Sequence, residues 1–263
     1  MIIDAHAHIY PEKIAEKAAL SIGDYYEIKM RHNGTFEGLL AQGDKAGIDK
    51  FVVHSVATTP RQVSAINQFV AQSVKAHPDR FIGFCTLHPD CESIPALVDE
   101  ALALGLVGMK LHADFQKFNL DSPAAMRMYE TIEGRMPLLV HAGDYRTSYT
   151  KPHRIVNIKR AFPKLDIIAA HFGGYSEWGS CMREMADLGI YIDTCSSLPF
   201  IRPMFARMIL DTFGADHALF GTDYPMWDAA EERARFEEVP MSSKEREMVY
   251  HENFERLMAP YLK

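Results

Sequence analysis

The chain has 263 residues, 48% hydrophobic and 24% charged, with a formal net charge of -7. That size and balance fit a single globular α/β domain over residues 1–263 with a sizeable core, and an acidic chain with no Lys/Arg run disfavours a nucleic-acid partner. No apolar run reaches bilayer-spanning length and no basic-then-apolar leader precedes Ile2, so a cytoplasmic protein without a membrane partner is expected.

The first predicted strand, 2–9, carries His6 and His8. Residues two apart on a strand share a face, so two imidazoles are delivered side by side, as a metal site requires. The plain alternative is a pair of core histidines with ordinary hydrogen bonds. Residues 10–50 exceed a normal strand-to-helix connection and hold Tyr25, Tyr26, Glu27, Arg31 and His32. They are expected as an extended loop insertion over the C-terminal mouth, where barrel enzymes select substrates.

Strand 51–57 contains His54, read as a satisfied buried histidine, and a helix follows over Val63 to Ala76. Strand 81–87 precedes a helix from Pro95 to Leu104, and strand 107–113 carries Lys110 and His112 before a helix over Ala124 to Glu133. Strand 137–143 carries His141, with Tyr145 and Arg146 just beyond; a helix over Ile155 to Phe162 leads to strand 166–173 with His171. Strands 190–195 and 218–224 complete the set, the last holding Asp223 with Trp227 after it. From the second strand onward the starts recur every roughly 24 to 30 residues, the length of a strand, a helix and two short loops. This regularity predicts a (β/α)8 TIM barrel. Cys85, Cys91, Cys181 and Cys195 form no Cys-x-x-Cys pair and read as reduced packing residues.

In a barrel the C-terminal strand ends converge on one rim. His6, His8, Lys110, His112, His141, His171 and Asp223 all fall at such ends. Imidazole nitrogen and carboxylate oxygen suit zinc and related divalent metals, and a catalytic site keeps one position open. The set, together with Gly108-Met109-Lys110-Leu111-His112, His171-Phe172-Gly173-Gly174 and Gly221-Thr222-Asp223-Tyr224-Pro225, resembles the amidohydrolase superfamily. It is similar in particular to the amidohydrolase-related branch, which includes hydrolases and decarboxylases of the aminocarboxymuconate semialdehyde type.

The resemblance implies one divalent metal, zinc foremost, held by His6, His8, His141 and Asp223, with His171 either a ligand or hydrogen-bonded just outside. It also implies Asp223 as general base. Lys110 has two readings: a carboxylated lysine bridging a second metal, or, preferred, an ammonium pairing with a substrate carboxylate. His112, Arg146 and Trp227 are weaker candidates for substrate binding, with strand capping, an exposed loop arginine and loop packing as their plain alternatives. The leading expectation is a metal-dependent hydrolase of a small amide, ester or lactone. Non-oxidative decarboxylation or hydration of a small unsaturated or aromatic carboxylic acid is the alternative, and a non-catalytic metal-binding barrel is the reading from a different class. The partner is a small molecule, and a homo-oligomer is left open.

Overall fold

Eight parallel strands form in the computed structural model, which describes residues 1–262. They are β1 (Ile3–His8), β2 (Lys50–His54), β3 (Phe81–Cys85), β4 (Gly108–Leu111), β5 (Leu138–Val140), β6 (Ile167–Ala169), β7 (Tyr191–Asp193) and β8 (Ala218–Leu219). Each pairs with the next in sequence, and β8 returns to β1 through Ala5 N–Phe220 O at 2.8 Å and Asp223 N–His6 O at 2.9 Å. The result is a (β/α)8 barrel. The strands stop short of their expected ends, β6 at Ala169 and β8 at Leu219, because the chain leaves the ladder there and turns inward. His171 and Asp223 lie in those turns at φ of 63° and 56°, a conformation that costs a non-glycine residue about 1–3 kcal/mol and persists only when neighbours fix it.

The helices are α1 (Glu12–Tyr26), α2 (Phe36–Ala46), α3 (Val63–Ala76), α4 (Ile94–Ala103), α5 (Ala113–Gln116), α6 (Pro123–Ile132), α7 (Pro152–Ala161), α8 (Trp178–Met185), α9 (Pro203–Phe213), α10 (Ala229–Glu237), α11 (Ser243–Glu247) and α12 (Asn253–Met258). Proline opens α4, α6, α7 and α9, where its missing N–H is not needed. The segment between β1 and β2 folds into α1 and α2. Among the described residues no helix is long and apolar enough to cross a membrane.

Alternation along each strand decides what faces the barrel axis. Val52, Leu139, Ile168 and Leu219 pack in the interior with Ile3, Ala5 and Phe84, whereas Phe51, Val53, Met109, Leu111, Leu138 and Val140 face the helices. Lys110, His54 and His141 therefore share the interior parity of their strands. On β1 the register slips by one residue between Asp4 and Ala7. Such a bulge flips the parity, so that both Ala5 and His6 point inward; bulges re-aim side chains in this way beside functional sites. Phe254, Leu257 and Met258 of α12 close the N-terminal end of the interior against Ile3, Val52 and Leu219. A polar site can then form only at the opposite mouth.

Two glycines make room for it. A Cβ on Gly108 would sit 2.4 Å from the Phe84 ring, and one on Gly221 would lie 3.1 Å from His6 Cβ. Asp4, fully buried, stitches β8 to β1: its carboxylate accepts from His6 N and Thr222 N at 3.0 Å and from Thr222 Oγ1 at 2.6 Å. Burial pushes its carboxyl up to about 7, against the lowering effect of the Thr222 hydroxyl. Asp4→Ala leaves three buried donors without an acceptor, so urea denaturation should show a loss of about 3 kcal/mol or more.

Candidate metal centre

The C-terminal mouth holds a cavity of about 320 Å3. His6, His8, Lys110, His112, His141, His171 and Asp223 line it, with Tyr10, Tyr25, Tyr26, Phe115 and Tyr175 supplying aromatic walls. Asp223 Oδ1 is 3.6 Å from both His6 Nε2 and His8 Nε2. His141 Nδ1 and His171 Nε2 are 2.8 Å apart on the facing side. Lys110 Nζ reaches His6 Nε2 at 2.9 Å. The residues expected at the rim are thus gathered around Asp223, which is 3.6 Å from His6 Nε2 and His8 Nε2 and within 4.8 Å of a ring nitrogen of His171, with His141 beside His171.

Two of the rings are held from behind by an acceptor: Asp193 Oδ2 lies 2.8 Å from His6 Nδ1 and Cys195 O lies 3.2 Å from His171 Nδ1. Asp114 Oδ2, 3.6 Å from His141 Nε2, is beyond hydrogen-bond reach. Protons on His6 Nδ1 and His171 Nδ1 leave His6 Nε2 and His171 Nε2 as acceptors, His6 Nε2 facing Lys110 Nζ at 2.9 Å. Outer acceptors of this kind fix tautomer and ring orientation for metal-binding histidines. With its proton on Nδ1, His141 donates to His171 Nε2 across the 2.8 Å contact.

Burial is the largest cause of the charge states. It pushes the imidazoles of His6, His8, His54, His112, His141 and His171 well below their ordinary range, and the nearby Lys110 cation pushes the same way. Neutral imidazole is the form that binds metal. Burial also lowers Lys110, opposed by Asp223, Cys195 and Asp193. It raises Asp223 to about 6, opposed by the Ser196 hydroxyl, which donates to Oδ2, and by Lys110.

Buried ring nitrogens of His54, His112 and His141 lack hydrogen-bond partners. With the neutral imidazoles and the Asp223 carboxylate, they make a nitrogen and oxygen donor set that fits a divalent cation such as zinc or manganese.

His112 is stacked between Phe115 and His141, with centroids at 3.9 and 4.0 Å, and its Nε2 meets the Tyr26 hydroxyl at 3.0 Å. Arg146, expected to recognise a substrate anion, is already engaged. Its Nε and Nη2 donate to the Asp144 carboxylate at 2.9 and 2.6 Å, and its Nη1 donates to Tyr25 O at 2.7 Å. It anchors the C-terminal end of α1, where a cation is favoured, and so holds Tyr25 and Tyr26 over the mouth. Trp227 does not wall the cavity either: its Nε1 donates to Ser196 Oγ at 2.9 Å, and Met226 and Pro225 line that side.

His54 is buried without a partner on either ring nitrogen, not the satisfied histidine expected. Cys195, expected to be a packing residue, places Sγ 3.1 Å from the Nδ1 atoms of both His6 and His171. The residues that sequence reasoning missed are Asp193, Cys195, Asp114 and Ser196. Asp193 and Cys195 end a strand with the same alternation as His6 and His8, and that signal was available.

A family model described as Amidohydrolase matches residues 3–258. No curated protein sequence matches the chain. Among solved structures, an uncharacterised TIM-barrel protein of Bordetella bronchiseptica is 21% identical with a TM-score of 0.80, covering 100% of this chain and 99% of its own. A dihydroxybenzoic acid decarboxylase of Polaromonas, with bound manganese and the inhibitor 2-nitroresorcinol, is 18% identical with a TM-score of 0.76, covering 98% and 96%. A probable 2-pyrone-4,6-dicarboxylic acid hydrolase of Acinetobacter baumannii is 17% identical with a TM-score of 0.70, covering 98% and 99%. At such identities the likeness shows a shared fold.

Asp193→Asn keeps the shape but removes the charge behind His6. Titration with Zn2+ or Mn2+ should show affinity reduced roughly 10- to 100-fold.

Proposed function

The chain belongs to the amidohydrolase family, and on that footing we propose that it is a metal-dependent hydrolase of a small amide, ester or lactone. The observation that carries this reading is the carboxylate of Asp223, set 3.6 Å from the cavity-facing nitrogens of both His6 and His8. A base and two metal donors then meet at one point. We assign metal binding to His6, His8 and Asp223, with His141 and His171 facing them. A divalent cation held there supplies Lewis acidity, polarising a substrate carbonyl and making water a nucleophile at neutral pH.

The chain's own residues supply the rest. Asp223 accepts the proton of the attacking water at Oδ1 and returns it to the leaving group, while the Ser196 hydroxyl holds Oδ2 and fixes the carboxylate. Tyr26, with the Arg146 guanidinium 4.9 Å over its ring and its hydroxyl hydrogen-bonded to His112, covers the mouth and limits water entry. His112, stacked flat on His141, gives the substrate a planar wall.

Decarboxylation of a small carboxylic acid is a second reading. Lys110 favours it: among the residues lining the cavity it is the one lysine or arginine, and its ammonium suits a substrate carboxylate. The manganese-bound decarboxylase that shares the fold agrees with it. A carboxylated Lys110 bridging a second cation would remove that ammonium and favour hydrolysis.

The test is a panel of esters, lactones and amides beside aromatic and unsaturated carboxylic acids, followed by acid release and by CO2 release. Chelation should abolish turnover and Zn2+ or Mn2+ should restore it. Asp223→Asn should lower kcat roughly 10^2- to 10^4-fold. CO2 release without hydrolysis would replace the first reading by the second, and turnover unaffected by chelation would contradict both.

A further inference from the structure

The geometry points to His54, on β2, as an additional nitrogen donor to the cation held by His6 and His8, an inference that rests on the metal reading above. Ring nitrogens of His6, His8 and His54 all lie within 4.8 Å of one another. The β1–β2 register pairs His8 with His54 directly, and interior parity aims His54 along the same wall as its neighbour two residues back, Val52. Its ring stands perpendicular to that of His8 at 4.4 Å and 5.0 Å from that of His6.

Two further observations narrow what such a ring can do. His54 is fully buried and does not line the cavity, so it does not touch a substrate there. Neither of its nitrogens has a hydrogen-bond partner, and an unpaired buried polar group costs about 1–3 kcal/mol. A leucine or phenylalanine would fill the place without that cost. Coordination satisfies one of the two nitrogens and draws the donor set from β1 and β2, with the Asp223 carboxylate 3.6 Å from Nε2 of both His6 and His8. The competing account is a ring that only packs edge-on against His8 and keeps it oriented.

The experiment uses the full chain stripped of metal, as wild type, His54→Ala and His54→Phe, the last retaining a ring against His8. Zn2+ binding is measured by calorimetry, thermal unfolding is followed with and without Zn2+, and visible absorption is recorded with Co2+ in place of Zn2+. We expect both variants to bind Zn2+ at least tenfold more weakly. The metal-free His54→Phe protein should keep or raise its Tm while the Tm gain on adding Zn2+ shrinks, and the Co2+ bands should move, because the donor set itself has changed. Wild-type affinity in the variants would overturn the inference. Weaker binding with unchanged Co2+ bands would also overturn it, leaving His54 as packing behind His8. A wild-type protein that takes up no Zn2+ would overturn the metal reading and this inference with it.

Discussion

The Asp193 carboxylate is the interaction on which the mouth of this barrel depends. It sits at the end of β7, fully buried, and accepts from three directions: His6 Nδ1 at 2.8 Å, His171 N at 2.8 Å and Cys195 Sγ at 2.9 Å. One side chain thereby fixes the tautomer of a β1 histidine and pins the left-handed backbone that aims a β6 histidine inward. Without such a partner the His171 backbone strain would relax, and the His6 ring would be free to reverse its donor and acceptor edges.

The wider constraint is that polar groups are crowded where water is scarce. Six imidazoles, one lysine and three carboxylates, Asp114, Asp193 and Asp223, lie at or just behind the mouth, and burial drives the imidazoles toward neutrality. In a fold selected for stability alone, apolar side chains would take these positions. The departure from apolar packing is confined to the C-terminal end; below it Val52, Phe84, Leu139, Ile168 and Leu219 form an ordinary interior, sealed by α12. Stability and chemistry are thus separated along the barrel axis, with Asp4 and the β1 bulge at the boundary.

Much of this was legible in the sequence. Eight apolar runs with helical patterns between them are enough for the barrel, and polar residues at the ends of strands 1, 4, 5, 6 and 8 mark the rim. His6, His8, Lys110, His112, His141, His171 and Asp223 were found in this way, and all line the cavity. Strand lengths were overestimated because residues such as His171 and Asp223 continue an apolar pattern while their backbones have left the ladder. Arg146 and Trp227 could not be placed from composition, since a loop residue's direction depends on partners distant in sequence, Tyr25 for one and Ser196 for the other. Asp114, on α5, lies beside His141, a neighbour that only the folded chain supplies. The helix α1 carries no strong helical signal in the sequence because its buried face is small, Ala15, Ala19 and Gly23, and it covers a cavity instead of filling a core.

We propose that the neutral imidazoles of His6 and His8 and the Asp223 carboxylate hold one divalent cation. Anomalous scattering from crystals of protein purified without chelators tests it most directly. A single metal peak is expected at coordination distance, about 2.0–2.2 Å for zinc, from His6, His8 and Asp223. Crystals whose mouth holds no metal even after soaking in Zn2+ or Mn2+, or a peak that none of these three residues touches, would contradict it.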